Sequence, residues 1–284
     1  MNSKLILKSA LTAVIWGLLD LLFSLITGST IKLTNYAWGF LPNLMVMIPL
    51  GYYITHSTLK GMQLSLASFA IFYGIGYFNI LNEALIFNVT NRNETINILL
   101  KGVFIVLIVT PLFIYLLNNS ISKTINLEFK RRPVFSWIWR IVLCDILYLI
   151  FYLTAGMILQ KVYPEFMNFY KGKIPPFALI INTQFFRGFI FIGVALIILR
   201  TMDSTLAKKA LLIGLIFSIF GGIAPLIQPN EYMPGYVRIG HLFEVGISNF
   251  LYGLVLGYLL GQKTIKENIA TENPNEEETI IPID

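Results

Sequence analysis

Polar positions in this 284-residue chain come in small groups separated by long apolar runs. Runs of about 20 apolar residues recur, each long enough as a helix to cross a hydrocarbon core of roughly 30 Å. Eight such stretches can be marked, at 6–27, 36–55, 63–86, 97–117, 137–159, 177–199, 210–227 and 240–261. The pattern predicts an all-α, polytopic membrane bundle of about eight transmembrane helices, with seven or nine still compatible. Pro42 and Pro49 interrupt the second run, and Gly221, Gly222 and Pro225 close the seventh. Kinked or partial crossings are expected there, because proline removes a backbone donor and crowds the preceding turn. The first run follows Lys4 and Lys8 as a secretory signal would, but it is longer and holds Asp20. It is expected to stay as the first span.

Composition narrows the class. Hydrophobic residues make up 56% of the chain and charged ones 13%, against roughly 25% charged in ordinary soluble domains. A single water-soluble core cannot hide that much apolar surface. After Gly261 the text changes to "QKTIKENIATENPNEEETIIPID", polar and acidic. The expectation is a membrane domain over 1–261 and a disordered acidic cytoplasmic tail over 262–284.

The net charge of +6 is spread unevenly. Lys4, Lys8, Lys60, Lys123, Lys130, Arg131, Arg132, Arg200, Lys208 and Lys209 fall in alternate connections, with "KRR" at 130–132 the densest group. The positive-inside rule places that side in the cytoplasm, with both termini, in the inner (plasma) membrane. Positive charge here reports topology, and no nucleic-acid partner is expected. The single cysteine, Cys144, gives neither a disulfide framework nor a thiolate metal cluster.

Candidate chemistry lies in the polar groups inside the spans. In "RIGHLFEVGISNFLYG", His241, Glu244 and Ser248 share one helical arc with Asn249 beside it. On the other side Gly246, Gly253, Gly257 and Gly261 form a small-residue stripe, which predicts a helix packed at close range. In "NILNEALIF", Asn79, Asn82 and Glu83 are spaced i, i+3 and i+4, and "NTQFFRGF" gathers Thr183, Gln184 and Arg187 by the same rule.

A charge facing lipid costs about 2.5–3.5 kcal/mol even on the lenient insertion scale. Asp20, Glu83, Arg187 and Glu244 must therefore face protein or water. The inferred topology puts Glu83, His241 and Glu244 near the outer surface, Asp20 in the outer half and Arg187 near the midplane. The expectation is one outward-open ligand cavity built by Asp20, Asn79, Asn82, Glu83, Arg187, His241, Glu244 and Asn249, with Arg187 the counter-ion of Asp20 or a glutamate. His241 and Glu244 also spell H-x-x-E, a two-ligand metal corner. It would need Glu83 or Asp20 as a third ligand, since His56 lies at the opposite side. No metal and no cofactor are expected.

Two stretches carry resemblances. "YMPGYVRIGHLFEVGISNFLYG" resembles uncharacterised bacterial multi-pass membrane proteins, which implies no activity. "QFFRGFIF" and "SNFLYGLVLGYLL" are similar to pieces of the CPBP intramembrane protease family, whose motif has paired glutamates ahead of Arg-Gly and a histidine close before a later asparagine. Arg187, Gly188 and Asn249 match that motif. The glutamate positions hold Asn182 and Thr183, and His241 stands further ahead of Asn249 than the family spacing. The general base that the resemblance implies is missing.

The function expected is binding or transport of a small molecule, lipid-derived ligand or ion. An intramembrane enzyme using His241 as acid/base oriented by Glu244 is the alternative, and a structural or assembly subunit the third. The expected partners are the lipid bilayer and that ligand, with a homo-oligomer left open.

Overall fold

A computed structural model of the chain describes residues 3–27, 33–117, 127, 129 and 131–263. The acidic tail expected after Gly261 lies outside them from residue 264 on, as does Lys130 of the basic cluster. Among the described residues, eight helices are long and apolar enough to cross a membrane. They are α1 (Ser3–Ile26), α2 (Leu33–His56), α3 (Gly61–Ile86), α4 (Arg92–Leu116), α5 (Val134–Val162), α7 (Phe177–Thr201), α8 (Leu206–Ile227) and α9 (Gly235–Leu260), with a five-residue helix, α6 (Phe166–Tyr170), between α5 and α7. The chain is a multi-pass, all-helical membrane protein.

Burial separates centre from rim. The spanning windows of α7 and α8 are at least half buried, whereas those of α1 and α5 bury only about a fifth of their residues. Residues such as Leu18, Leu22, Ile146 and Ile150 point outward, as lipid-facing residues must when no water is there to avoid. The centre is an aromatic stack in which Phe191 packs on Phe217, Tyr148 and Tyr252, and Phe72 packs edge-on against Trp16 and Phe220.

The tight neighbour predicted for the last span is α8. A Cβ added to Gly253 would stand 2.7 Å from the Gly214 Cα, and one added to Gly257 would stand 2.6 Å from the Ala210 Cα. The two backbones touch along this seam, so only glycine fits.

The two proline-bearing spans differ from each other. Helix α2 runs unbroken through Pro42 and Pro49. Helix α8 widens into a π-turn at Ile219–Ile223 ahead of Pro225, and α3 has a second π-turn at Gly74–Asn79. Such turns insert a residue into the helical ladder and often sit beside functional sites; here the two touch each other.

The two ends of the bundle differ. At the end where α1 begins and α9 finishes, the Thr58 and Asp203 amides donate to the Thr201 and His56 carbonyls, each at 2.7 Å, and Ser57 pairs with Met202 as an isolated bridge. Arg132 donates to the Leu260 and Gly261 carbonyls and Arg140 to that of Leu259 at 2.7 Å. These guanidinium groups meet the unpaired carbonyls and negative dipole end of α9. At the opposite end three connections pack together through Phe87 and Val89, Phe166 and Tyr170, and Met233, beside a cavity. There α4 starts with a capping box, in which Asn91 accepts from the Glu94 amide and Glu94 from the Asn91 amide, both at 2.9 Å.

Candidate functional site

A cavity of about 350 Å³ lies in the half of the bundle away from the start of α1 and the finish of α9, within the size range of small-molecule sites. Helices α3, α5, α7, α8 and α9 build its walls and α6 borders its mouth. Most of the lining is apolar, including Phe87, Met157, Phe166, Ile180 and Val245. Glu83, Arg187, His241, Glu244, Ser248 and Asn249 supply polar groups among these.

Arg187 is the deep element, only 3% exposed. Its Nη1 lies 2.6 Å from Glu83 Oε2 and donates to Gln184 Oε1 at 2.9 Å, while Nε donates to Asn79 Oδ1 at 3.1 Å. The Tyr148 hydroxyl donates to the same Gln184 oxygen at 3.1 Å. Both buried amides thus turn their oxygens toward donors, and each keeps an NH2 group with no partner among the described residues. The spacing of α3 explains the pairing. Asn79 closes the π-turn, and one helical turn later Glu83 reaches the same guanidinium.

His241 forms the second polar group. Its Nδ1 lies 2.7 Å from Glu244 Oε2, one turn on, and its Nε2 lies 2.6 Å from the Tyr170 hydroxyl. Phe166 packs edge-on against the imidazole with ring centres 4.6 Å apart. Gly240 admits this ring, since a Cβ there would be 3.1 Å from Phe166. Burial raises the Tyr170 phenol above its ordinary pKa, and the carboxylates of Glu83 and Glu244 push it the same way. Tyr170 therefore stays a hydroxyl that can donate to His241, with Nδ1–H directed at Glu244.

Asn249 helps hold the α8 π-turn. Its Nδ2 donates to the Phe217 carbonyl at 3.3 Å, and Gly221 makes room for it, since a Cβ there would stand 3.2 Å from that nitrogen. Beside it, Ser218 donates to the Gly246 carbonyl at 2.7 Å. The Asn249 contact explains why α9 carries an amide at this depth, since it gives the Phe217 carbonyl beside the widened turn a donor, and the Ser218 bond ties α8 to α9 next to it.

The eight residues singled out by sequence do not all meet. Glu83, Arg187, His241, Glu244 and Asn249 line the cavity, and Asn79 holds Arg187 without joining the lining. Asp20 does not converge. It pairs with Lys101 of α4 at 2.7 Å, so its counter-ion is not Arg187. Asn82 also stays out of the lining, because it is about 100° round the helix from Glu83. The expected single hollow is therefore corrected to one cavity and a separate ion pair. Tyr148, Tyr152 and Tyr170 are lining residues that the polar pattern did not single out. The cluster "FMNFY" ahead of the seventh-helix proline pair was the available signal for Tyr170.

Among the described residues no three histidine, cysteine or acidic side chains come together as metal ligands. Both ring nitrogens of His241 are already engaged. Of the protease-like positions, Arg187 and Asn249 line the cavity and Gly188 packs against the buried Asp145 carboxylate, while Asn182 is exposed and neither it nor Thr183 reaches the cavity. Compared with models of protein families, with curated proteins and with solved structures, the chain finds no match in any of the three.

Proposed function

We propose that this protein binds a small amphiphilic, lipid-derived molecule in its membrane-embedded cavity, as the loading site of a transporter. The observation that carries this reading is the division of the lining into apolar walls and fixed polar groups, Arg187 with Glu83 and His241 with Glu244. An apolar chain gains by leaving water for such walls, at about 0.8 kcal/mol per buried methylene, while a polar head finds groups already oriented. Arg131, Arg132, Arg140 and Arg200 lie at the end where α9 finishes, which supports a cytoplasmic location for that end and an outward opening for the cavity.

Gly156 lines the cavity, and a Cβ on it would meet nothing closer than Glu244 Oε1 at 3.6 Å. A large side chain there projects into free space and fills the site without disturbing the packing. Native mass spectrometry of protein extracted in mild detergent is expected to show a retained amphiphile, lost in Gly156→Trp. An adduct that persists in that variant, or none in the wild type, refutes the reading.

The second reading is an intramembrane enzyme, favoured by the carboxylate-oriented imidazole of His241. It predicts breakdown of labelled phospholipid by reconstituted protein, abolished in His241→Ala with binding retained. Unchanged breakdown in the variant sinks it.

A further inference from the structure

We propose that the cavity selects a zwitterionic head, one carrying an ammonium group and an anionic phosphate or carboxylate on a short spacer. This rests on the amphiphile reading and names the class of head within it.

Groups of both signs keep unused bonding capacity there. Arg187 commits Nε to Asn79 and Nη1 to Gln184 and Glu83, and no described residue accepts from Nη2. Being 3% exposed, the side chain cannot turn that donor to bulk water, and it borders the cavity. An acceptor on a ligand is the partner it lacks. Glu244 gives Oε2 to His241, while Oε1 faces the open space left by Gly156. Carboxylates accept up to four hydrogen bonds, so Glu244 retains room for a donor.

Charge decides between classes of head. Arg187 is already paired with Glu83, and Glu244 lies on the same cavity. A purely anionic head would satisfy Nη2 but bring a negative group near Glu83 and Glu244 with no cation of its own to offset it. A purely cationic head would balance Glu244 and leave Nη2 unmet, and an uncharged head would leave Glu244 unbalanced. Mismatches of this kind are expensive away from water. Only a head with both signs meets the arginine and the glutamate at once.

The test titrates purified protein, in a non-ionic detergent, with lysophosphatidylethanolamine and lysophosphatidylglycerol of equal chain length, and with phosphoethanolamine. The ethanolamine lipid is expected to bind about tenfold or more tighter than the glycerol lipid, as one charge-assisted hydrogen bond allows. Glu244→Gln should erase that preference by weakening the ethanolamine lipid alone, and Glu244→Asp should keep it. Lengthening the chain should tighten binding about fourfold per buried methylene. Equal affinity for the two lipids overturns the zwitterionic head and leaves the amphiphile reading standing. Binding of neither lipid overturns both. Phosphoethanolamine binding as tightly as its lipid supports the head assignment, with a soluble source, and overturns the amphiphile reading instead.

Discussion

Replacing Glu83 strands a guanidinium that has nowhere to go. The Arg187 side chain is 4% exposed and that of Glu83 28%, so the acid is far more readily hydrated from the cavity than the base, most of whose guanidinium is buried. Glu83→Gln keeps an acceptor but exchanges a charge-assisted hydrogen bond for a neutral one, a loss of about 1–2 kcal/mol. Glu83→Leu removes acceptor and charge together, and breaking a buried pair from one side costs about 3–5 kcal/mol. Adding Arg187→Met to Glu83→Leu removes the stranded charge, so the double variant should recover part of that loss, with a coupling of about 2 kcal/mol for side chains in direct contact. Equilibrium unfolding in mixed detergent micelles measures the wild type, both Glu83 variants, Arg187→Met alone and the double variant, which closes the cycle. If Glu83→Leu lies within about 1 kcal/mol of the wild type, or the second substitution adds to the damage, the pair does not hold this part of the bundle and the electrostatic argument fails.

Other consequences are as direct. Gly253→Leu should abolish monodisperse folded protein on size exclusion, because its side chain would occupy the Gly214 backbone, whereas Gly193→Ala, with open space at its Cβ, should be tolerated. Lys101→Met should destabilise by about 2.5–3.5 kcal/mol at most, by leaving Asp20 unpaired in the membrane, and should leave cavity binding unchanged; a change in affinity would return Asp20 to the site. Tyr170→Phe should cost about 1 kcal/mol through the lost bond to His241. Because the folded pKa of Tyr170 lies above its unfolded value of about 10, the unfolded chain ionises first and stability falls as pH rises past 10. Alkaline unfolding curves should therefore be shallower in Tyr170→Phe; an identical slope would mean this phenol is not shielded.

The spans were readable because a membrane imposes length and apolarity on each helix, and nothing in the folded chain can override that requirement. That α9 packs tightly on one side was readable as well, since closely packed backbones demand glycine at fixed spacing, but nothing in the pattern named α8 as its neighbour. Glu83, Arg187, His241 and Glu244 were placed together because each lies within one turn of its nearest polar neighbour and charges cannot face lipid. Asp20 was misplaced by the same rule. The rule says that a membrane charge needs a partner but not which one, and Lys101 is remote in sequence from Asp20, with only Asn97 one turn before it to mark that face. Asn82 fails on finer geometry, since a three-residue step falls on the far flank of the face that its fourth-residue companion occupies. The π-turns and the docking of α6 depend on tertiary contact, such as Asn249 reaching Phe217, and leave no periodic trace.

The stitched rim has its own consequence. With backbone bonds joining the loop after α2 to the loop after α7, and arginines clasping the last carbonyls of α9, the molecule is a cup rather than a tube. These bonds lie close together at one end of the bundle, so opening that end would mean breaking several of them at once, and the closure is cooperative rather than the work of any single contact.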